Sequence, residues 1–86
     1  MSELINFYLK HLRAEAGVAP NTVLAYRRDL ERLRAFLAEE GRPGFRRLSA
    51  DDVLAFLLVE RARGLRPASV GRAFVSIRCF ARWSAA

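Results

Sequence analysis

The sequence is poor in several residue types, and each scarcity excludes a class of structure. One cysteine among 86 residues leaves no partner for an internal disulfide and suits a reducing cytoplasm. Because there is also only one histidine, we expect no metal site and no cofactor. No apolar run approaches the ~18 residues of a membrane span, and the N-terminus lacks the pattern of a secretory signal. We therefore expect a cytoplasmic protein with no membrane partner.

Acidic residues are missing from one part of the chain, residues 61–86. The first 60 residues hold nine basic and nine acidic side chains, so their net charge is zero. The whole net charge of +6 thus comes from the arginines that follow Glu60. These are Arg61, Arg63, Arg66, Arg72, Arg78 and Arg82. Such an asymmetry favours a polyanion or an acidic protein surface as the partner, although a solvated basic face without a partner has the same composition.

What is abundant is helical periodicity, because 52% of the residues are hydrophobic and they recur at helical spacing. We expect four helices that begin near Ser2, Pro20, Ser49 and Pro67, with Gly17, Gly41 and Gly64 ending the first three. Ser2 is a candidate N-cap, and Ser49 with Asp52 forms an acidic variant of the capping box. No segment alternates as a strand does. The predicted class is all-α, with one shared core.

Helical phase also predicts which side chains face inward and which face outward. In the last two helices the inward positions are Val53, Phe56, Leu57 and Leu58, then Val70, Ala73, Phe74, Ile77, Phe80 and Ala81. Two polar stripes are expected to lie off the apolar faces. They are Thr22, Ala25, Arg28 and Arg32 on the second helix, and Ser69, Arg72, Ser76 and Cys79 on the fourth. Arginine reaches phosphates or the guanine edge, and short side chains let a helix approach a groove closely.

Several residues that could suggest chemistry have simpler interpretations. Tyr8 and Tyr26 lie on apolar stripes and are expected in the core. Glu60 is interpreted as part of a solvated helix face, and Asp29 as the partner of a neighbouring arginine. Phe7 points away from the stripe of its own helix and is expected at the surface, either alone or in contact with a neighbouring protomer or a further domain.

Two segments resemble the tyrosine recombinases of the phage-integrase family, and the Xer-type recombinases in particular. The segment APNTVLAYRRDLERLRAFLAEEG is similar to a family helix that reads roughly N-T-x-x-x-Y-x-x-D-L-x-x-F/L. The residues in register are Asn21, Thr22, Tyr26, Arg27, Asp29, Leu30 and Leu33. The segment LSADDVLAFLLVERARGLRPASVGRAFVSIRCFARW is similar to a later pattern, L-[ST]-x-x-D-[VL] followed by G-x-x-x-x-[ST] and an arginine-bearing helix. The matching residues there are Leu48, Ser49, Asp52, Val53, Gly64, Ser69, Arg72, Ile77, Arg78 and Phe80.

The resemblance implies a single core-binding domain over residues 1–86, a four-helix SAM-like bundle of two crossed helical hairpins. It implies that the second and fourth helices lie against the major groove of double-stranded DNA. The expected DNA-binding residues are Asn21, Thr22, Arg28, Arg32, Arg66, Ser69, Arg72, Ser76 and Arg78. Further partners would be the catalytic domain of the same full-length protein and other recombinase protomers in a synaptic complex. The catalytic residues of the family are absent from this sequence, so the expected enzyme is the full-length parent.

Two other functions fit the composition. A small helical protein–protein adaptor could dock its basic helix on an acidic partner. An RNA-binding helical domain is a weaker alternative, because RNA recognition uses exposed aromatic rings and most aromatics here fall on inward stripes.

Overall fold

The computed structural model describes residues 2–85, and in them the chain forms four α-helices and one short 3₁₀ helix. The elements are α1 (Ser2–Ala14), α2 (Pro20–Glu39), the 3₁₀ helix (Phe45–Arg47), α3 (Ala50–Ala62) and α4 (Pro67–Ala85). α1 packs on α2, α3 packs on α4, and α2 also packs on α3 and α4. The result is the expected all-α SAM-like bundle, two helical hairpins that cross.

The helix boundaries follow local sequence signals. The three glycines expected to end helices all have positive φ, 65° at Gly17 and Gly41 and 96° at Gly64. An L-residue with a side chain rarely adopts this backbone conformation, so glycine is the residue that ends the helix and turns the chain there. Pro20 is the first residue of α2, where its missing N–H leaves no intrahelical bond unmade.

A capping box starts α3 as expected. The backbone N–H of Asp52 donates to the Ser49 hydroxyl at 3.2 Å, and the backbone N–H of Ser49 donates to Asp52 Oδ2 at 3.1 Å. Arg42, in the loop after α2, donates to the other carboxylate oxygen at 3.0 Å. The pKa of Asp52 lies below its usual value, chiefly because of the hydrogen bond from Arg42 and next because of the hydrogen bond from the Ser49 backbone. One carboxylate therefore caps α3 and ties the preceding loop to it.

The core draws on all four helices and on the loop before α3. Its buried apolar residues are Ile5, Tyr8, Leu9, Leu12, Val23, Leu30, Leu33, Phe36, Leu37, Phe45, Phe56, Ile77 and Phe80. The periodicity did not predict the burial of Phe45, since it belongs to no long helix. Its ring meets that of Phe80 edge to face with centroids 4.9 Å apart.

Two inward assignments from the sequence are wrong. Leu58 is 59% exposed and Phe74 is 42% exposed. Each lies at the margin of its apolar stripe, and the neighbouring helix covers only the centre of that stripe. In α4 that centre is formed by Ala73, Ile77 and Phe80, all of which are buried as expected.

An aromatic cluster joins the C-terminal part of α4 to α1. Tyr8 packs against Phe80 and Trp83, with ring centroids 5.2 and 5.0 Å apart. Phe7 is exposed, as expected, yet the edge of its ring approaches Trp83 at 6.1 Å between centroids. The cluster fixes the end of α4 against the first hairpin.

We expect Asp52→Asn to destabilise the fold at neutral pH, because it weakens the cap of α3 and the bond to Arg42. A carboxylate whose pKa is lowered by folding stabilises the folded state above its unfolded pKa of about 4, and this contribution disappears as the pH falls through the folded pKa. The difference between wild type and variant, measured by urea unfolding, should therefore shrink below about pH 4. Asp51→Asn is the control and should cost less at neutral pH, since Asp51 is exposed. A difference that stays constant down to pH 2 would contradict this account.

Candidate nucleic-acid interface

One of the two serines of the fourth-helix stripe, Ser76, faces inward, contrary to the outward position expected from the sequence. Ser76 has 0% exposure and lies between Ala73 and Phe80, three residues before it and four after it. Those spacings place all three on one side of α4, and that side packs on the rest of the bundle. Ser69 is half-buried on the same flank, and Arg72 extends from it to the surface. The expected stripe is therefore the border between α4 and α2.

A buried carboxylate, that of Asp29 on α2, explains why polar residues line this border. Its side chain is only 5% exposed, and Arg72 binds both of its oxygens. Arg72 Nε donates to Oδ2 at 3.1 Å and Nη2 donates to Oδ1 at 2.8 Å. The Ser76 hydroxyl lies 3.2 Å from Oδ2 and 2.9 Å from the Ala73 carbonyl, so its one proton can go to either acceptor. Hydrogen bonding to Asp29 raises the pKa of Arg72, which secures its positive charge.

A second buried carboxylate, Glu60 near the end of α3, is also paired with arginine, here with two residues. Arg32 of α2 donates to Oε2 at 3.1 Å, and Arg63 donates to Oε1 at 3.2 Å. Glu60 is 3% exposed, so its interpretation as part of a solvated face is wrong. Because two guanidinium groups share its charge, burial of this carboxylate does not leave an unpaired ion in the interior.

The two networks are adjacent, because Asp29 and Arg32 lie one turn apart on α2. Arg28 immediately precedes Asp29, is exposed, and lies one turn before Arg32. We call Arg28, Arg32, Arg63 and Arg72 the arginine face. It draws side chains from α2, α4 and the end of α3. The face has four positive charges, and two negative charges are buried beneath it, so the surface is basic. Three of its guanidinium groups are held in place by hydrogen bonds to the buried carboxylates.

The remaining DNA-binding candidates do not all lie on this face. Asn21 is exposed and Thr22 half-buried in the first turn of α2, and Arg66 is exposed just before α4. Arg78 lies six residues after Arg72 and so about 120° around the helix. Its guanidinium carbon stands 5.7 Å from the centre of the Phe74 ring. The sequence prediction thus combined two separate surfaces of α4.

The surface beside Arg78 is apolar. A groove of about 320 Å³ lies between α3 and α4, and Leu54 and Phe74 are exposed on its sides. Val75 of α4 is also exposed, but it does not line this groove. This surface differs in chemistry from the arginine face, since its lining is mostly aliphatic and aromatic carbon.

The two tyrosines occupy positions suited to packing. Tyr8 is buried in the core as expected, and Tyr26 lies half-buried against the core. Burial, aided by the nearby Cys79 and Tyr26, raises the pKa of Tyr8 to about 12. The phenolate form that a nucleophile requires is therefore disfavoured at Tyr8.

The carboxylates that organise the interface were only partly foreseen. An arginine partner for Asp29 was expected, and the structure confirms one, but Arg72 lies 43 residues away in sequence. The signal for Glu60 is that it directly follows the apolar run VLAFLLV, in a helix where a carboxylate is seldom buried unless it is paired. Across residues 2–85, no cluster of three or more His, Cys, Asp or Glu side chains could hold a metal ion. No helix in the same stretch is both long and apolar enough to cross a membrane.

Arg72→Ala should destabilise the fold by about 1–3 kcal/mol, because it leaves the buried Asp29 carboxylate with one serine as its partner. Urea unfolding at neutral pH measures this difference. Arg82→Ala is the matched control, since Arg82 is exposed on the same helix and makes no ion pair within residues 2–85; its effect should stay within about 0.5 kcal/mol.

Coupling between the two partners gives a second measurement. Asp29→Ala combined with Arg72→Ala should cost less than the sum of the single changes, because the second change removes a group already left without its partner. Additive costs would mean that the pair contributes no coupling energy.

Known proteins with similar sequences point to one family. Residues 5–86 match the family model described as phage integrase, N-terminal SAM-like domain. The chain is 34% identical over 80 residues to the tyrosine recombinase XerC of Roseiflexus sp. (strain RS-1), covering 93% of this chain and 26% of that protein. It is 37% identical over 86 residues to the tyrosine recombinase XerD of Mycobacterium tuberculosis (strain ATCC 25618 / H37Rv), covering 92% and 28% respectively.

A third relative, the tyrosine recombinase XerD of Rhizobium meliloti (strain 1021), is 36% identical over 76 residues, which cover 88% of this chain and 24% of that protein. No solved structure matches the chain significantly. The chain spans about a quarter of the length of the curated relatives that it matches. Because the family model covers nearly all of the chain, the chain belongs to the phage-integrase family of tyrosine recombinases and corresponds to its N-terminal SAM-like domain.

Proposed function

We propose that this chain is a duplex-DNA-binding module of a site-specific tyrosine recombinase, and that it grips the recombination site through the major groove with α2 and α4. The observation that carries the proposal is the arginine face, on which four arginines stand together over two buried carboxylates. Three of them are held by hydrogen bonds in the free protein. An ordered guanidinium loses less side-chain entropy when it binds a phosphate or a base.

Size and charge both fit the groove of duplex DNA. The major groove of B-DNA is about 12 Å wide and admits an α-helix. α4 has 19 residues and is therefore about 28 Å long, enough to follow the groove across several base pairs. Release of counterions from the phosphates would supply most of the affinity, since the face has more positive than negative charge.

The side chains divide into different tasks. Arg28 and Arg66 are exposed and make no ion pair within residues 2–85, so they are suited to phosphate contacts. Asn21, Thr22 and Ser69 are short polar residues near the helix starts, where they could bond a phosphate without holding the backbone away. Ser76 is buried and would act indirectly, through Asp29.

The parent protein is proposed to be a tyrosine recombinase, and this chain to contribute binding to it. Its further partners would be a catalytic domain of the same protein and other protomers in a synaptic complex. The support is the family membership and the identity of the relatives, which are tyrosine recombinases. Burial and the raised pKa of Tyr8 argue against a nucleophilic role for that residue here.

The second candidate is the protein–protein adaptor, and one observation favours it. The apolar groove beside Arg78 combines exposed hydrophobic side chains with a positive charge, which is common where proteins bind one another. Its position away from the arginine face means that DNA binding and protein binding need not compete. Binding to an acidic protein with no measurable affinity for duplex DNA would favour this candidate.

Affinity for duplex DNA should fall steeply with salt. If about four to six arginines meet phosphates, the slope of log K against log salt should be about −4 to −5, because each neutralised phosphate releases close to one counterion. Fluorescence anisotropy with a labelled duplex over a range of salt concentrations measures it. Arg28→Ala should make the slope less negative by about 1.

Arg13→Ala is the matched control for that measurement, since Arg13 is exposed on α1 and belongs to neither α2 nor α4. It should leave the slope unchanged. A slope near zero for the wild type, or the same loss from both variants, would remove the arginine face as the binding surface.

The isolated chain should neither cleave nor rejoin DNA. A nicked duplex that traps covalent recombinase intermediates should yield no 3′-phosphotyrosyl adduct when incubated with this chain, as judged by denaturing electrophoresis. Tyr8→Phe and Tyr26→Phe should leave DNA affinity unchanged. An adduct that disappears in either variant would make this chain catalytic after all.

A further inference from the structure

Asp29 presents a puzzle for a DNA-binding surface, because a carboxylate close to phosphates lowers the affinity for DNA. Its side chain is 5% exposed and forms an ion pair with Arg72, which lies at the α2–α4 border. We infer that Asp29 is a positioning residue that fixes which edge of Arg72 meets the DNA and thereby determines base preference at one position. This inference rests on the proposed function.

The donors that remain on Arg72 support it. An arginine side chain has five N–H donors in one plane. Asp29 takes one from Nε and one from Nη2, so two remain on Nη1 and one on Nη2. One donor from each of these nitrogens points the same way, along the end of the guanidinium. This pair matches the two acceptors O6 and N7 that guanine presents in the major groove.

The carboxylate is itself held in place. Asp29 is on the buried face of α2, and the Ser76 hydroxyl of α4 lies 3.2 Å from its Oδ2. Both residues lie within long helices, so the direction of the carboxylate is fixed by the packing of the bundle. Since Arg72 is bound at two points, rotation of its guanidinium about the last side-chain bonds is restricted.

The other carboxylate of the interface offers a comparison inside the same molecule. Glu60 receives one hydrogen bond from Arg32 and one from Arg63. A guanidinium held by one nitrogen can still swivel, whereas Arg72, held by two, presents one defined edge. Arg32 and Arg63 therefore suit phosphates, which accept bonds from many directions, and Arg72 suits a base edge.

The experiment uses the whole 86-residue chain and two duplexes. One duplex is selected from a randomised pool by repeated binding to the wild-type chain, and the other is a shuffled version of it. The measured quantity is the ratio of the two dissociation constants. Asp29→Asn should reduce this ratio by about fivefold to a hundredfold, the range expected when one bidentate base contact loses its geometry. Affinity for the shuffled duplex should not fall, because a negative charge has been removed.

Glu39→Gln is the matched control, since Glu39 is exposed on the same helix and its change removes the same charge. It should shift both dissociation constants alike and leave the ratio unchanged. An effect of charge alone would make the two variants indistinguishable. A purely structural role for Asp29 would weaken binding to both duplexes together.

A second variant keeps the test valid if Asp29→Asn does not fold, as judged by circular dichroism. Asp29→Glu keeps the charge and moves the carboxylate outward by one methylene, so it should reduce the ratio at an unchanged salt slope. An undiminished ratio in a folded variant would overturn the inference and leave the proposed function standing. A wild-type chain that binds all duplexes equally well would also overturn the inference and leave the proposed function standing. A wild-type chain that binds no duplex would overturn both the inference and the proposed function.

Discussion

The structure depends on one buried charge and on the means by which it is neutralised. Asp29 lies in the border between the two hairpins, where an unpaired carboxylate would strongly destabilise the fold. Arg72 and Ser76, both from α4, supply the hydrogen bonds that make its burial possible. Satisfying this group requires α2 and α4 to meet in one register, because their apolar residues alone would allow small sliding movements.

Glu60 places the same constraint on α3, because its buried carboxylate must meet Arg32 of α2. The molecule has two faces that differ in chemistry. Above the two carboxylates stand arginines whose side chains are ordered and basic, a surface suited to an anionic partner. On the far side of α4, Leu54 and Phe74 border an apolar groove. One helix thus takes part in two surfaces of different chemistry, about 120° apart, without a bulky insertion or an additional element.

Much of the fold could be predicted from the sequence, because periodicity and end signals are local properties. The starts at Pro20 and after Ser49 and the glycines with positive φ needed no knowledge of tertiary structure. Phe45 could not be predicted, since its burial depends on Phe80, 35 residues away. The arginine face was harder to predict than the fold. Helical periodicity assigns serine, a polar residue, to the outer side, yet Ser76 is buried because the Asp29 carboxylate, distant in sequence, is its hydrogen-bond partner. Pairing between polar groups that are far apart in the sequence produces no periodic pattern from which it could be predicted.

Trp83 has a consequence for how this protein can be studied. It is the only tryptophan, it packs beside Tyr8 at the C-terminal end of α4, and it is eleven residues from Arg72. That separation corresponds to about 16 Å along the helix axis. Its intrinsic fluorescence should thus report the loosening of α1 from α4 and remain nearly silent when an anion occupies the arginine face. Folding can then be followed by tryptophan emission in an unlabelled sample, with little interference from an anion bound at the arginine face.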